Sequence, residues 1–482
     1  GALDADSGGA SLDNVTVSNS FSGEYGGGLY AADVAEIIDS TFEGNDTDCC
    51  EGGGAYIGGD VVLIERSTFR NNKAGGGGDY GAGFYADDPD TSGIIRDSLF
   101  EGNEARRGGG AYLDVSEGAV FEVSGSTFRT NTASASGGAA YFGGRGIAQV
   151  SDSTFEDNSS GDSGGALEMN AGTITGSTFS GNSNSAGNGS AVFMSYGPEN
   201  VIENSTFTGN SGYNVISTDN SEDPAITLEV NNVTLAGNTL DDLDYPAIDV
   251  LDGATANLEV SNSIIAQDDG PGVDAPGCAA EGTISSGGGN VIQDTTTGCD
   301  ALVGGPPAPT TRVSAAQIGL QALALNAPGT TETMAIGSDS VAARAGVLAS
   351  CLPTDQRGVS RPADSCSSGA YQAQVGTVGL SVTKSGTGSG TVTSSPEGID
   401  CGETCEADFE DGATVTLTAT PAAGSTFTGW SGACSGTGTC EVTMSEERSV
   451  DAAFTADSPS PTAPSLKASV GTAKKVRAGK TA

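Results

Sequence analysis

The seven residues Asp39-Ser40-Thr41-Phe42-Glu43-Gly44-Asn45 return with variations far along the chain. Their anchors are Phe42, Phe69, Phe100, Phe128, Phe155, Phe179 and Phe207, then Leu235 and, more loosely, Ile265. Successive anchors lie 27, 31, 28, 27, 24, 28, 28 and 30 residues apart. A period in this range is the signature of a repeat architecture. Within each phrase Ser, Thr and Phe alternate with period two, as in a strand, so Ser and Phe face one side and Thr the other. Three residues after the anchors stand Asn45, Asn72, Asn103, Asn131, Asn158, Asn182, Asn210 and Asn238. Asparagine tolerates the left-handed conformation that turns a chain out of a strand. Stacked amides can also bond from one coil to the next.

A second phrase lies between these: Gly27-Gly28-Leu29-Tyr30, Gly53-Gly54-Ala55-Tyr56, Ala82-Gly83-Phe84-Tyr85, Gly109-Gly110-Ala111-Tyr112 and Gly164-Gly165-Ala166-Leu167. Paired glycines suit a corner where backbones approach closely. Each period thus holds two clear strands, with a third expected, and no helical spacing. Such coils bury their apolar side by winding about one axis, each strand pairing with its copy in the next coil. The expected fold class is all-β: a right-handed parallel β-helix, since parallel crossovers take that hand, followed by a small disulfide-containing β domain. Glu43, Arg70, Glu101, Arg129 and Glu156 follow their anchors as an alternating charge ladder on the outer face.

The paired Gly-Gly-Ala-Tyr and Phe-x-x-Asn phrases resemble the repeats of chlamydial polymorphic membrane proteins, over roughly residues 14–240. That resemblance implies a surface-exposed β-helical passenger, in several members an adhesin. Further on, Asp355-Gln-Arg-Gly-Val-Ser-Arg-Pro362 with Cys366 and Gly369-Ala-Tyr371 resembles the bacterial choice-of-anchor Q domain, although Ser367-Ser-Gly stands where that family commonly has Asp-Ile-Gly. This resemblance implies disulfides Cys278–Cys299 and Cys351–Cys366, and a segment that caps the solenoid. Asp355, Arg357 and Arg361 are read as a buried structural ion-pair cluster rather than a catalytic one. From Val378 to Phe454 the alternation of half-buried strands returns, and Phe427-Thr-Gly-Trp430 with Val450-Asp-Ala-Ala-Phe454 resembles an internalin-type B repeat. Cys401, Cys405, Cys434 and Cys440 fit two disulfides there, with local pairs favoured, and Trp430 reads as core.

The domain reading is therefore coils over 1–300, a cap over 301–375, the small β domain over 376–456, and a Pro/Ser/Thr linker with a basic tail over 457–482. That tail also resembles the first strand of an immunoglobulin-like domain. Gly1 begins within a repeat, as a trimmed chain would.

Composition narrows the function. With 62 acids against 19 bases the net charge is −43, and there is no histidine. Such a surface disfavours nucleic acid and anionic membranes. Ten cysteines in short local spacings point to an oxidising, extracellular setting, and no apolar run is long enough to insert in a membrane. Cys49 and Cys50 are adjacent, and the sequence leaves open a vicinal bond or another partner. Asp46, Asp48 and Glu51, and separately Asp87, Asp88 and Asp90, are loop carboxylates of the type calcium uses, without the full spacing of a calcium loop.

The reading that follows is a non-catalytic surface protein, a rigid stalk or adhesin whose side face binds a glycan or protein ligand. Tyr30, Tyr56, Tyr85, Tyr112 and Tyr141 form a contact stripe if they point outward, or a core ladder, the arrangement favoured here, if they point inward. The alternative is a calcium-assisted polysaccharide lyase or hydrolase. Lyase chemistry needs a cation beside the abstracted proton, and lysine and arginine are absent over the 166 residues from Gly146 to Thr311. Arg66, Arg70, Lys73, Arg96, Arg106, Arg107, Arg129 and Arg145 remain for that role, and no motif selects a pair of acids for hydrolysis. A third reading is head-to-tail self-assembly into a fibre through an open first coil. The threonine column (Thr41, Thr68, Thr127, Thr154, Thr178, Thr206) lacks the second threonine row of an ice-binding face.

Overall fold

One repeat period makes one coil in the structure, a computed structural model. It describes residues 1–457 and 471, apart from 6–8, 34, 60–61, 76–79, 88–92, 196, 198, 220–225, 242–243, 252–255, 268–274, 304–310, 364, 374–375, 403, 411–412 and 445. The proposed linker and tail beyond 457 lie outside the described residues, Gly471 excepted. The chain divides into two compact units, Gly1–Val375 and Gly376–Ala482.

The first unit stacks its coils into parallel sheets of 11, 11, 12 and 9 strands. The tyrosine sheet contains Leu29–Ala31, Ala55–Ile57 and Phe84–Ala86. An aliphatic sheet contains Gly93–Arg96 and Val120–Ser124, and the phenylalanine sheet contains Thr41–Glu43 and Thr68–Arg70. The fourth sheet, of two-residue strands such as Asp46–Thr47 and Lys73–Ala74, corrects the expected two or three strands per coil. Two residues are too few for an alternation to be read.

Phe42, Phe69, Phe100, Phe128, Phe155, Phe179 and Phe207 are all fully buried. Consecutive rings stack 4.5–5.2 Å apart and within 11° of parallel. Leu235 and Ile265 continue the column in the same register. Beside it runs an amide ladder: Asn72 Nδ2 donates to Asn103 Oδ1 at 3.0 Å and to the Phe42 carbonyl, and the Asn72 N–H donates to the same Oδ1. These asparagines do not take the left-handed conformation. The residue before each takes it instead, among them Gly44 (φ 64°), Asn71 (φ 52°), Gly102 (φ 66°) and Thr130 (φ 53°). Serine forms a parallel ladder at the preceding corner, where the Ser40 N–H donates to Ser67 Oγ and the Ser67 N–H to Ser98 Oγ, both at 3.1 Å.

Thr311–Val313 adds the last strand of the phenylalanine sheet, parallel to Val291–Gln293. The chain then turns back along the outer face of that sheet. Thr178 Oγ1 donates to the Glu332 carbonyl (2.5 Å), Thr206 Oγ1 to Gln356 Oε1 (2.6 Å), and the Ala370 N–H to Thr234 Oγ1 (3.0 Å). Val313, Ile318, Ile336, Ala342 and Ala343 pack on Ala236, Ile264 and Val291. The expected cap is therefore mainly a brace along the flank. Asp355 and Arg357 pair inside it at 2.6 Å, almost wholly buried, and the Arg357 guanidinium lies 3.6 Å from the Tyr371 ring centroid. Arg361 donates to the Ser367 and Gly369 carbonyls and to Asn204 of a coil.

The second unit has a four-stranded sheet ordered Glu406–Glu410, Thr377–Gly386, Arg448–Ala456, Ser425–Gly432, and a three-stranded sheet of Gly390–Ser395, Thr414–Pro421 and Cys440–Thr443. Leu380, Val392, Leu417, Trp430 and Phe454 share its core. Trp430 is buried there, its Nε1–H donating to the Gly438 carbonyl at 2.7 Å.

Candidate functional site

The pleat of the tyrosine sheet decides where its ladder points. Leu29, Ala31, Ile57, Phe84, Ala86 and Leu113, on either side of the tyrosines, belong to the central core. The tyrosines between them must point the other way, and they form a cluster of their own. This corrects the core-ladder expectation: the column is on the outer face. Rings of Tyr30, Tyr56, Tyr85, Tyr112 and Tyr141 stack at 5.3, 5.2, 5.1 and 4.9 Å.

Corner loops roof this column. Tyr25 lies 5.0 Å from Tyr56 and Tyr80 4.7 Å from Tyr112, leaving Tyr56, Tyr85 and Tyr112 only 9, 7 and 8 % exposed while Tyr25 is 42 % exposed. The Arg107 guanidinium spans Tyr80 and Tyr141, 5.9 and 5.3 Å from their centroids. Tyr56 Oη donates to Asp87 Oδ2 at 2.6 Å. Burial, then the Asp87 carboxylate, raises the Tyr56 hydroxyl pKa, and burial likewise raises those of Tyr85 and Tyr112.

The next place in the column is Glu168, in register with Tyr141. Burial pushes its carboxyl up to about 7, against the opposing pull of the Ser136 hydrogen bond and of Arg107. Further along, Asp249 is pushed up to about 6, by burial first and Glu281 second, and accepts from Asn214 Nδ2 at 3.2 Å. The face thus offers aromatic surface, one guanidinium and a carboxyl group that titrates near neutrality. Such a set can donate to and accept from sugar hydroxyls. The sequence reading missed Glu168, although a signal was there: it follows Gly164-Gly165-Ala166-Leu167 in the column place held by tyrosine in the five preceding coils.

The other candidates disperse. Asp46 pairs in register with Lys73 on the short-strand sheet. Glu51 lies by Tyr25, being the largest cause of that hydroxyl's raised pKa. Asp48 is exposed in the bend between them. Among the described residues no three acidic or cysteine side chains gather as a metal would need. Asp87 is engaged by Tyr56, and Asp88 and Asp90 lie outside the described residues. The outer charge ladder links Glu43 to Arg70 at 4.0 Å, Arg70 to Glu101 at 2.8 Å, and Glu101 to Arg129 at 2.7 Å. Disulfides join Cys278 to Cys299, Cys351 to Cys366, Cys401 to Cys405 and Cys434 to Cys440. Cys49 and Cys50 remain thiols.

The family model described as "Right handed beta helix region" matches residues 1–155 and 120–281. That described as "Divergent InlB B-repeat domain" matches residues 380–458. No curated protein and no solved structure matches the chain. No helix among the described residues is long and apolar enough to cross a membrane.

Proposed function

The chain belongs to the right-handed β-helix family, and on that footing we propose that it is an extracellular, non-catalytic surface protein whose solenoid flank binds a glycan or protein ligand. One observation carries this reading: the tyrosine ladder faces outward, at the spacing of the coils, with Tyr25, Tyr80 and Arg107 folded over it. Aromatic and arginine side chains dominate binding hot spots because they offer large area at low entropic cost. The four disulfides support the extracellular setting. Polymorphic-membrane-protein-like repeats and a choice-of-anchor-like brace are the finer parts of the same proposal.

Polysaccharide cleavage is the second reading. Glu168, titrating near neutrality within the electrostatic reach of Arg107, is the observation that favours it, because a general acid or base works best with a pKa near the working pH. Incubation with neutral and anionic polysaccharides, with and without calcium, separates the two. Retention of a polysaccharide at unchanged length, reduced at least tenfold by Tyr25→Ala with Tyr80→Ala, is the expected result. Shortened chains, abolished by Glu168→Gln, would replace the binding reading with the enzymatic one.

A further inference from the structure

The roof over the tyrosine column does not run its whole length. At each corner a glycine N–H donates to the carbonyl of the residue just before the matching glycine one coil on, as Gly81 does to Arg107, Gly108 to Ser136, Gly137 to Ser163 and Gly164 to Asn188. This sets a second column in register beside the first: Tyr80, Arg107, Ser136, Ser163 and Asn188. Large side chains thus give way to small ones, while the inner column passes from Tyr112 and Tyr141 to Glu168 and Phe193. Tyr112 is buried, whereas Tyr141, Glu168 and Phe193 are partly exposed. Past the far ends of the same strands the side chains are again small and polar, Ser195 Oγ donating to Asn170 Oδ1 at 2.9 Å. Tyr141 and Phe193 stand two coils, roughly 10 Å, apart. Between them lies a notch with Glu168 as its floor and Arg107 at its roofed end.

Arg107 Nε and Glu168 Oε2 are buried with no hydrogen-bond partner among the described residues. The first is a donor at any pH, and the second accepts when ionised. Buried polar groups are met almost without exception in native proteins, and one ligand meets both of these only by bringing an acceptor and a donor side by side. A cationic group offers donors alone and an anionic group acceptors alone. Two neighbouring hydroxyls of a sugar ring offer one of each. We propose that this notch is the ligand subsite of the flank and takes an uncharged sugar residue through a vicinal diol, one hydroxyl accepting from Arg107 Nε and the other donating to Glu168 Oε2, with the ring lodged between Tyr141 and Phe193. Rings with a few placed polar groups are the usual lining of such a site. The proposal rests on the binding reading above and narrows its ligand from a glycan or protein to a neutral glycan. The net charge of −43 repels a polyanionic chain and leaves a neutral one free to approach.

The test is calorimetric titration of the full chain with three oligosaccharide series: neutral (malto-, cello- and manno-oligosaccharides), galacturonate and glucosamine. Burial holds the Glu168 carboxyl up at about 7, so pH 8 keeps it ionised, and added salt screens the exposed charges. Binding of a neutral series is expected, weakened at least tenfold once periodate has cleaved its diols. Arg107→Lys, which keeps the charge and removes Nε–H, and Ser163→Tyr, which extends the roof, should each weaken it at least tenfold without lowering the melting temperature by more than a few degrees. Phe193→Ala, which removes one side of the notch, should do the same and stands in if Ser163→Tyr does not fold. Neutral oligosaccharides that bind these variants as tightly as the parent would overturn the subsite and leave the binding reading standing. Tighter binding of the galacturonate or glucosamine series would overturn the neutral ligand. Binding of none of the three would overturn the proposal and leave a protein as the ligand of the flank.

Discussion

Asn131 holds three coils together. Its amide donates to the Phe100 carbonyl and to Asn158 Oδ1, both at 3.0 Å, while its own Oδ1 accepts from the Asn103 N–H and Nδ2. Asn131→Ala removes all four of these bonds, although Asn158 Oδ1 keeps the residue-131 N–H and Asn103 Nδ2 keeps the Phe69 carbonyl, and should cost about 3 kcal/mol. Thr127→Ala, on the outer face of the same turn, should stay within about 0.5 kcal/mol. Denaturant unfolding of the two variants checks this, and equal losses would mean the ladder is dispensable. Glu168 gives a second test. Its carboxyl pKa rises from 4.5 to about 7 on folding, so the folded state favours the protonated form. That stability is fully present below pH 4.5 and is lost as pH rises through 7. Glu168→Gln should therefore match the parent at pH 4 and exceed it at pH 8, by about 2 kcal/mol after allowance for solvent. Asp249, pushed up to about 6, should leave a smaller fall with pH in the variant.

At the scale of elements, the brace over 315–373 is a tenant of a face it did not shape. It covers Thr178, Thr206 and Thr234, leaving them almost fully buried, while Thr41, Thr68 and Thr127 in the same column stay partly exposed. The buried and open threonines are the same residue type in the same phrase, which is why the sequence did not reveal the brace's path. Gln356 anchors it, donating to Thr178 Oγ1 at 2.9 Å and accepting from Thr206 Oγ1. The Cys351–Cys366 disulfide encloses a 15-residue separation, worth about 3 kcal/mol of chain entropy. Replacing both cysteines by Ser should speed amide exchange across the brace about 100-fold while the Phe and Asn columns keep their protection. Uniform loss of protection would show that brace and coils unfold together. Strand existence, by contrast, was readable wherever three residues alternated, as in Thr41-Phe42-Glu43. The direction of the tyrosines was not, because Tyr suits either face and the decisive neighbours, Leu29 and Ala31, read as apolar only on one side of a pleat.

Across the whole solenoid, the sequence identified the coils, the inward Phe and Ser columns and the outer charge ladder, since each repeats residue for residue. The candidate face was only half legible. Its tyrosines repeat, but Arg107 reaches it through a corner loop, and Glu168 stands at the place where the tyrosines stop and the column continues with Phe193, Ser217 and Asp249. The serine ladder brings a last property into view. Ser98 meets Ser126, and Ser126 meets Ser153 across a separation of 27. Because every rung from Ser40 to Ser205 offers its neighbour the same acceptor, that part of the stack has no built-in count. Deleting residues 126–152 would bring Ser98 against Ser153 and Asn103 against Asn158 with the serine and asparagine bonds restored, at the expense of the Arg129–Glu101 ion pair and the Tyr112–Tyr141 stack. The shortened chain should melt cooperatively within a few degrees of the parent, whereas deleting 126–139 should abolish the transition. The solenoid is then a ruler graduated in steps of about 4.8 Å, whose reach changes by whole divisions through unequal recombination between like repeats, with no single division indispensable to the scale.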